Sequence, residues 1–287
     1  MLVHDREGLD IIIFFQWEES TISIDAYKRN FLVCITYSKT SIGVLLKMIN
    51  MMGVLLENPP PNLPEAEAHI FEELQKSELP HYYQSWKQLK FELLLRRNII
   101  EAARELDKSG AEFAVFYQSK FNEQYWTKTR SGYKLRPNVL PSEAIEDIFK
   151  NGNKYSFECS TAIVIIYYYA VLKSINRAAF NLLFQNLLVW DWSYDEDLRI
   201  QTRVGTEFIP GDVLYFHNPD YLNPVWIGEN TVYLGSNSYF GHGIGIGTKE
   251  EIIRALNTLR KPNSKKSAYI LTQYSRLDFP YLSQFAY

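Results

Sequence analysis

The stretch Tyr155-Ser156-Phe157-Glu158-Cys159-Ser160-Thr161-Ala162-Ile163-Val164-Ile165-Ile166-Tyr167-Tyr168-Tyr169-Ala170-Val171-Leu172 decides how the chain is read. From Thr161 to Leu172 nearly every side chain is apolar or Tyr. No polar face is left, which is the pattern of a helix buried on all sides. The run falls short of the roughly 20 apolar residues that a membrane span needs. Ser156 reads as the N-cap, which places Cys159 in the first helical turn. Unpaired backbone N–H groups and the positive end of the helix dipole favour a thiolate there over a thiol. A nucleophile at the tip of a buried helix is held rigidly, as covalent catalysis requires.

The rest of the chain supplies a core large enough to bury such a helix. It has 287 residues, of which 46% are hydrophobic and 15% aromatic, and one substantial domain accounts for them. The net charge of -3 comes without long basic or acidic runs, so bulk electrostatics give no reason to expect nucleic acid. Two cysteines, Cys34 and Cys159, do not make a disulfide scaffold, and a reduced setting fits better. Neither CxxC nor HExxH occurs, so no dedicated metal site and no cofactor are expected. The start lacks a basic n-region, and Ile11 to Phe15 is too short for an h-region, so no secretory signal is expected.

Residues 1–50 read as an extension. Ile11–Phe15 and Phe31–Ile35 read as strands with no clear hairpin signal between them, and Met48 or Met51 reads as an alternative start. The proline-rich break from Asn58 to Pro64 precedes a short amphipathic helix, Glu65 to Lys76. A long helix follows from Ser85 to Ser109, with Gly110 just past its end. Ala114 to Tyr117 reads as a strand, and Ser131-Gly132 as the turn of a hairpin. Helices are expected at Ala144 to Lys150 and Arg177 to Leu188. Strands are expected at 212–216, 231–234, 239–246 and 267–272. Thr248-Lys249-Glu250-Glu251 is a capping box for a helix from Ile252 to Leu259. The fold class is α+β, a single compact domain with the cysteine helix packed on an antiparallel meander.

A cysteine nucleophile needs a base within reach. Glu229 sits among apolar and aromatic neighbours, which raise a carboxyl pKa on burial. His242 is flanked by Gly241 and Gly243, which let backbone or substrate come close. Glu158 directly precedes Cys159, though neighbouring helical residues point about 100° apart. Each has a plainer reading: a structural thiol on an apolar helix, a loop carboxylate, a satisfied strand histidine. Cys, Glu and His together allow thiol-based acyl transfer, but spacing alone does not establish it.

Several segments resemble one known family in the expected order. Phe157 to Tyr168, Gly228-Glu229-Asn230, Phe240 to Gly245, Pro210 to Pro219, and Arg96 to Ile100 with Lys108 to Ala111 are similar to segments of the bacterial spore-coat transglutaminases, the protein-glutamine γ-glutamyltransferases. The likeness runs from about Met51 almost to the C-terminus, so residues 51–287 are expected to form the catalytic domain and residues 1–50 to lie outside it. The resemblance implies a fold related to the NlpC/P60 and papain-like enzymes and a calcium-independent reaction. It implies Cys159 as nucleophile, Glu229 as its carboxylate partner in place of the usual His, and Glu158 as a carboxylate that partly stands in. It implies His242 as a histidine near the site, and Trp192 and Trp226 as borders of the substrate tunnel. Spore-coat proteins as glutamine and lysine donors, and a place in the sporulating mother cell and the spore coat, follow from the resemblance too. Ser160 replaces the Ala usual after the nucleophile. The rival readings are an NlpC/P60-like cysteine peptidase or amidase, and an inactive coat component.

Overall fold

The cysteine helix runs Cys159–Ser174, and its side chains from Ser160 to Leu172 are buried. A helix with apolar side chains all round must be covered on all sides. It packs on the long helix Trp86–Lys108, on the strand Gly228–Gly235, on Pro141–Lys150 and on Arg177–Leu183. Each Ile, Val, Leu or Tyr buried there contributes about 1.5–3 kcal/mol relative to exposure, which fixes the helix tip in place. The computed structural model describes residues 49–287 throughout and, before them, the backbone of four strands. The expected alternative start Met48 lies outside the described residues, as does the side chain of Cys34.

Residues fall into two units, 1–58 with 74–82 and 59–73 with 83–287. In the first, Leu2–His4, Asp10–Glu18, Thr21–Lys28 and Phe31–Ser38 form an antiparallel meander. The two expected strands are there. A third, Thr21–Lys28, lies between them where no hairpin signal was legible. Ile49–Met51 and Val54–Leu56 form a hairpin, turned by Gly53 at φ +88°, in a sheet that His81–Tyr83 completes.

The second unit holds the chemistry. The helix Glu65–Lys76 has its expected bounds, with Glu65–Glu73 in this unit. The long helix starts at Ser85, whose hydroxyl caps Gln88 N–H, and ends before Gly110 at φ +84°. The expected strand at Ala114 to Tyr117 is not formed. The strand is Glu112–Phe113, and a turn of 3-10 helix, Phe116–Gln118, takes its place. The Ser131-Gly132 hairpin forms as Trp126–Thr129 with Gly132–Leu135. The helix expected to reach Leu188 stops at Leu183, and Leu188–Val189 joins the hairpin as a third strand.

The main sheet has six antiparallel strands in the order Gln201–Val204, Tyr269–Arg276, Val213–His217, Gly228–Gly235, Ser238–Gly241, Gly245–Thr248. Four of them follow one another as a meander, in which the single strand expected over 239–246 is two, Ser238–Gly241 and Gly245–Thr248, joined by a turn at Gly241–Ile244. The last strand in sequence does not extend it, but inserts between Gln201–Val204 and Val213–His217. The capping box at Thr248 and Glu251 is present in full.

A buried charge cluster ties the long helix to this sheet. Arg96 Nε donates to Glu92 at 2.8 Å and Nη1 to Asp212 at 2.9 Å, and Arg276 reaches the other Asp212 oxygen at 2.5 Å. Arg96 and Asp212 are fully buried. Two cations and two carboxylates balance there, the arrangement that makes buried charge tolerable.

Candidate active site

Cys159 lies in the first turn of its helix, as expected, but as its first residue, because the cap is different. Ser156 lies in a two-residue strand, Ser156–Phe157, paired parallel with Glu112–Phe113. Glu158 holds the N-cap position in extended conformation, with no side-chain cap bond. The first backbone N–H groups of the helix therefore keep their donors free at the cysteine.

Cys159 opens on a cavity of about 690 Å³, bordered by Glu158, Asp191, Trp192, Tyr215 and Asn230 among others. Its Sγ accepts a hydrogen bond from Asn230 Nδ2 at 3.4 Å. The expected resting thiolate is overturned. Burial pushes the Cys159 thiol up to about 12, and the charges of Glu229 and Glu158 add to the effect. Donors from Asn230 oppose this without reversing it. A helix end worth about 0.3–1 kcal/mol does not outweigh the desolvation of an anion beside two carboxylates.

Glu229 is completely buried near the start of the strand Gly228–Gly235. One carboxyl oxygen accepts from Gly243 N–H at 3.2 Å, and the other has no hydrogen-bond partner. Burial raises its pKa to about 8, with the Gly243 N–H pulling the other way. The glycines around His242 serve this carboxylate. A Cβ at Gly241 would lie 2.7 Å from Glu229 Cγ, and one at Gly243 would lie 3.2 Å from its Oε2. Glu229 is near enough for its charge to act on the thiol, yet the hydrogen bond to sulfur comes from its neighbour Asn230.

Glu158 borders the cavity and accepts from Ser160 Oγ at 3.2 Å. Its pKa is raised, first by burial and then by Asp191, against the Ser160 bond. His242 stacks on Phe157 with ring centroids 4.7 Å apart, and Nε2 donates to the Glu112 carbonyl at 3.2 Å. Burial lowers its pKa to about 4, so the imidazole is neutral near pH 7 and braces the strand that leads into Cys159. It does not line the cavity.

The two tryptophans separate. Trp192 borders the cavity as expected. Trp226 does not; it stacks on Phe113 at 4.9 Å and covers Gly243, whose Cβ would come 3.0 Å from its ring. Trp226 ends a turn of 3-10 helix, Pro224–Trp226, ahead of the strand that buries Glu229, and its ring lies against Gly243 rather than in the opening. Asn230 and Tyr215 went unassigned in the sequence, because cross-strand register alone brings them to the cysteine. The Gly228-Glu229-Asn230 segment was the signal that could have found Asn230.

Cys159 at an open helix tip, with a buried carboxylate acting on it, supplies a thiol and a proton acceptor, the two groups that acyl transfer through sulfur calls for. Comparisons with known proteins agree on which transfer. Residues 48–286 match the family model described as protein-glutamine gamma-glutamyltransferase. A protein of that name from Bacillus pumilus is 47% identical over 218 residues, covering 75% of this chain and 88% of the relative. One from Bacillus cereus is 49% identical over 203 residues, covering 69% of this chain and 73% of the relative. The solved transglutaminase from Geobacillus stearothermophilus, without its C-terminal extension, superposes with a TM-score of 0.68 at 52% identity, covering 71% of this chain and 99% of that one. The chain thus belongs to the protein-glutamine γ-glutamyltransferase family, acyltransferases that act on protein substrates.

Proposed function

We propose that the chain forms ε-(γ-glutamyl)lysine cross-links through a thioester on Cys159, with Glu229 as the proton carrier. The observation that carries this reading is the buried Glu229 carboxylate, with one oxygen unpartnered and its charge acting on a cysteine that opens on a cavity. Ionised Glu229 takes the Cys159 proton as sulfur attacks the γ-carboxamide of a protein glutamine. The free N–H groups at the helix tip receive the developing oxyanion. Glu229 returns the proton to the departing nitrogen, and ammonia leaves. A lysine ε-amine then attacks the thioester, Glu229 accepts the amine proton, and the isopeptide bond forms as Cys159 is released.

A pKa near 8 suits this shuttle, because the same group must take and give a proton within one cycle. Glu158 borders the opening, where the buried Glu229 does not, and partly substitutes for Glu229. His242 acts through position, bracing Phe157 with a neutral ring. Trp192 narrows the opening and limits the water that competes with the amine. Trp226 supports Glu229 from the other side.

We further infer that residues 51–287 form the catalytic domain, related to the NlpC/P60 and papain-like enzymes, and that the reaction needs no calcium. Spore-coat proteins are the proposed glutamine and lysine donors, in the sporulating mother cell and on the spore coat. Among the described residues no helix is long and apolar enough to cross a membrane. The test is incorporation of a primary-amine probe into a glutamine-bearing protein, with and without a chelator. Amine incorporation that survives chelation and is lost in Cys159→Ala supports the reading. Ammonia release without incorporation supports a cysteine amidase or peptidase instead.

A further inference from the structure

Strand register brings to Cys159 a group that the proton shuttle leaves unused. Asn230 and Tyr215 are cross-strand partners on Gly228–Gly235 and Val213–His217. Residues opposite one another on neighbouring strands project from the same face of a sheet. That face borders the cavity, where both residues meet Cys159. Asn230 is 9% exposed, and its side-chain amide makes one hydrogen bond, to Cys159 Sγ. Burying an amide costs free energy unless it is satisfied, and here its partner is the reacting atom. A neutral amide is a donor at every working pH, and such a donor binds an anion more strongly than a neutral thiol.

We propose that Asn230 is a catalytic residue whose side-chain amide holds the charge on Cys159 Sγ whenever that sulfur is an anion. The claim rests on Cys159 being the nucleophile. In the first step the S–H bond breaks, the proton passes to Glu229, and the electron pair left on sulfur is held by the Asn230 N–H until it forms the bond to the substrate carbon. In the second step the C–S bond breaks, the pair returns to sulfur, and the same N–H receives it as the leaving group. Glu229 moves the proton in both steps while Asn230 keeps its own. Sulfur that burial and two carboxylates hold in the protonated form needs such a donor in both directions.

The test uses the full chain and two variants. Asn230→Leu keeps the volume and removes the side-chain donor, leaving the backbone N–H of residue 230 in place; Asn230→Asp keeps the shape and replaces the side-chain donor with an acceptor. A charge-assisted hydrogen bond to a buried anion is worth about 10- to 100-fold. Iodoacetamide alkylation of Cys159 at a fixed alkaline pH should slow by about that factor in both variants, and more in Asn230→Asp. Amine incorporation should lose kcat by a similar factor with KM nearly unchanged, since the amide touches sulfur rather than the bound chains. Thermal melts identify a variant that has lost its fold, and the other variant then decides. Wild-type alkylation rates and wild-type kcat in a folded variant overturn the proposal. If the wild-type chain incorporates no amine, the transferase reading fails, while the alkylation rates still decide whether Asn230 holds the sulfur's charge.

Discussion

Glu229 occupies the space that a side chain at Gly241 would need: a Cβ there would lie 2.7 Å from Glu229 Cγ. The carboxylate is fully buried and its position is set by this contact, by the Gly243 N–H and by the Trp226 ring over Gly243. Gly241→Ala should displace the carboxylate. A methyl group forced into a filled space costs about 1–3 kcal/mol. Amine incorporation should fall at least about 10-fold, with a melting temperature lowered by a few degrees. A variant with wild-type turnover would show that the close packing does not position Glu229.

The pH dependence follows from Glu229 as the base. Its working form is the carboxylate, and burial raises its pKa to about 8. The rate of amine incorporation should therefore rise with pH through about 8. His242, lowered to about 4, is neutral across this range and adds no limb to the profile. Glu229→Gln should lower kcat about 100-fold without abolishing it, since Glu158 remains, and should remove the limb near 8. A profile flat from pH 6 to 9 in the wild type contradicts Glu229 as base.

The same shift is a stability statement. Folding holds a proton on Glu229 that the unfolded chain gives up above its ordinary pKa of 4.5. The folded state is thus unpenalised below about 4.5, and loses stability as pH rises from there toward 8. Glu229→Gln should match the wild type in urea unfolding near pH 4.5. At pH 9 it should be more stable, by on the order of a few kcal/mol. Equal stabilities at both pH values would show that the carboxyl titrates normally.

Asp212 holds Arg96, Arg276 and the Ile209 N–H in the cluster between the long helix and the sheet. Asp212→Ala leaves two guanidinium groups short of their partner, one of them fully buried. The expected loss is about 3–5 kcal/mol, read from the urea midpoint. A much smaller loss would mean that water enters to replace the carboxylate.

Trp192 is 37% exposed and borders the opening above Cys159. Trp192→Ala should widen the approach for water. The ratio of ammonia released to amine incorporated should rise above one, with Cys159 alkylated faster than in the wild type. An unchanged ratio would place the control of water elsewhere.

Elements set by local chemistry were legible in the sequence. Ser85 and Gly110 bound the long helix, Thr248 and Glu251 form their box, and the unbroken apolar run from Thr161 made the cysteine helix plain. What depends on distant parts of the chain was not. Gln201–Val204 is a polar edge strand with no alternation to mark it, and Tyr269–Arg276 finds its place only when two neighbours exist to receive it. Ser156 looked like a cap because its residue type prefers that role, but pairing with Glu112 draws it into a strand. Cys159, Glu229 and Glu158 were recognised by type and motif. The raised pKa of Glu229 was legible too, from its apolar neighbours, while the protonation of Cys159 was not, because the desolvation that overrides its helix end belongs to the folded core.

A sulfur kept as the neutral thiol has a consequence beyond turnover. Oxidation by peroxide to a sulfenic acid follows thiolate character, so a cysteine whose pKa stands at about 12 reacts slowly while idle. In the proposed mechanism it becomes reactive only for the moment in which a neighbouring carboxylate draws off its proton. An enzyme armed this way is expected to lose little of its sulfur to stray oxidants between turnovers.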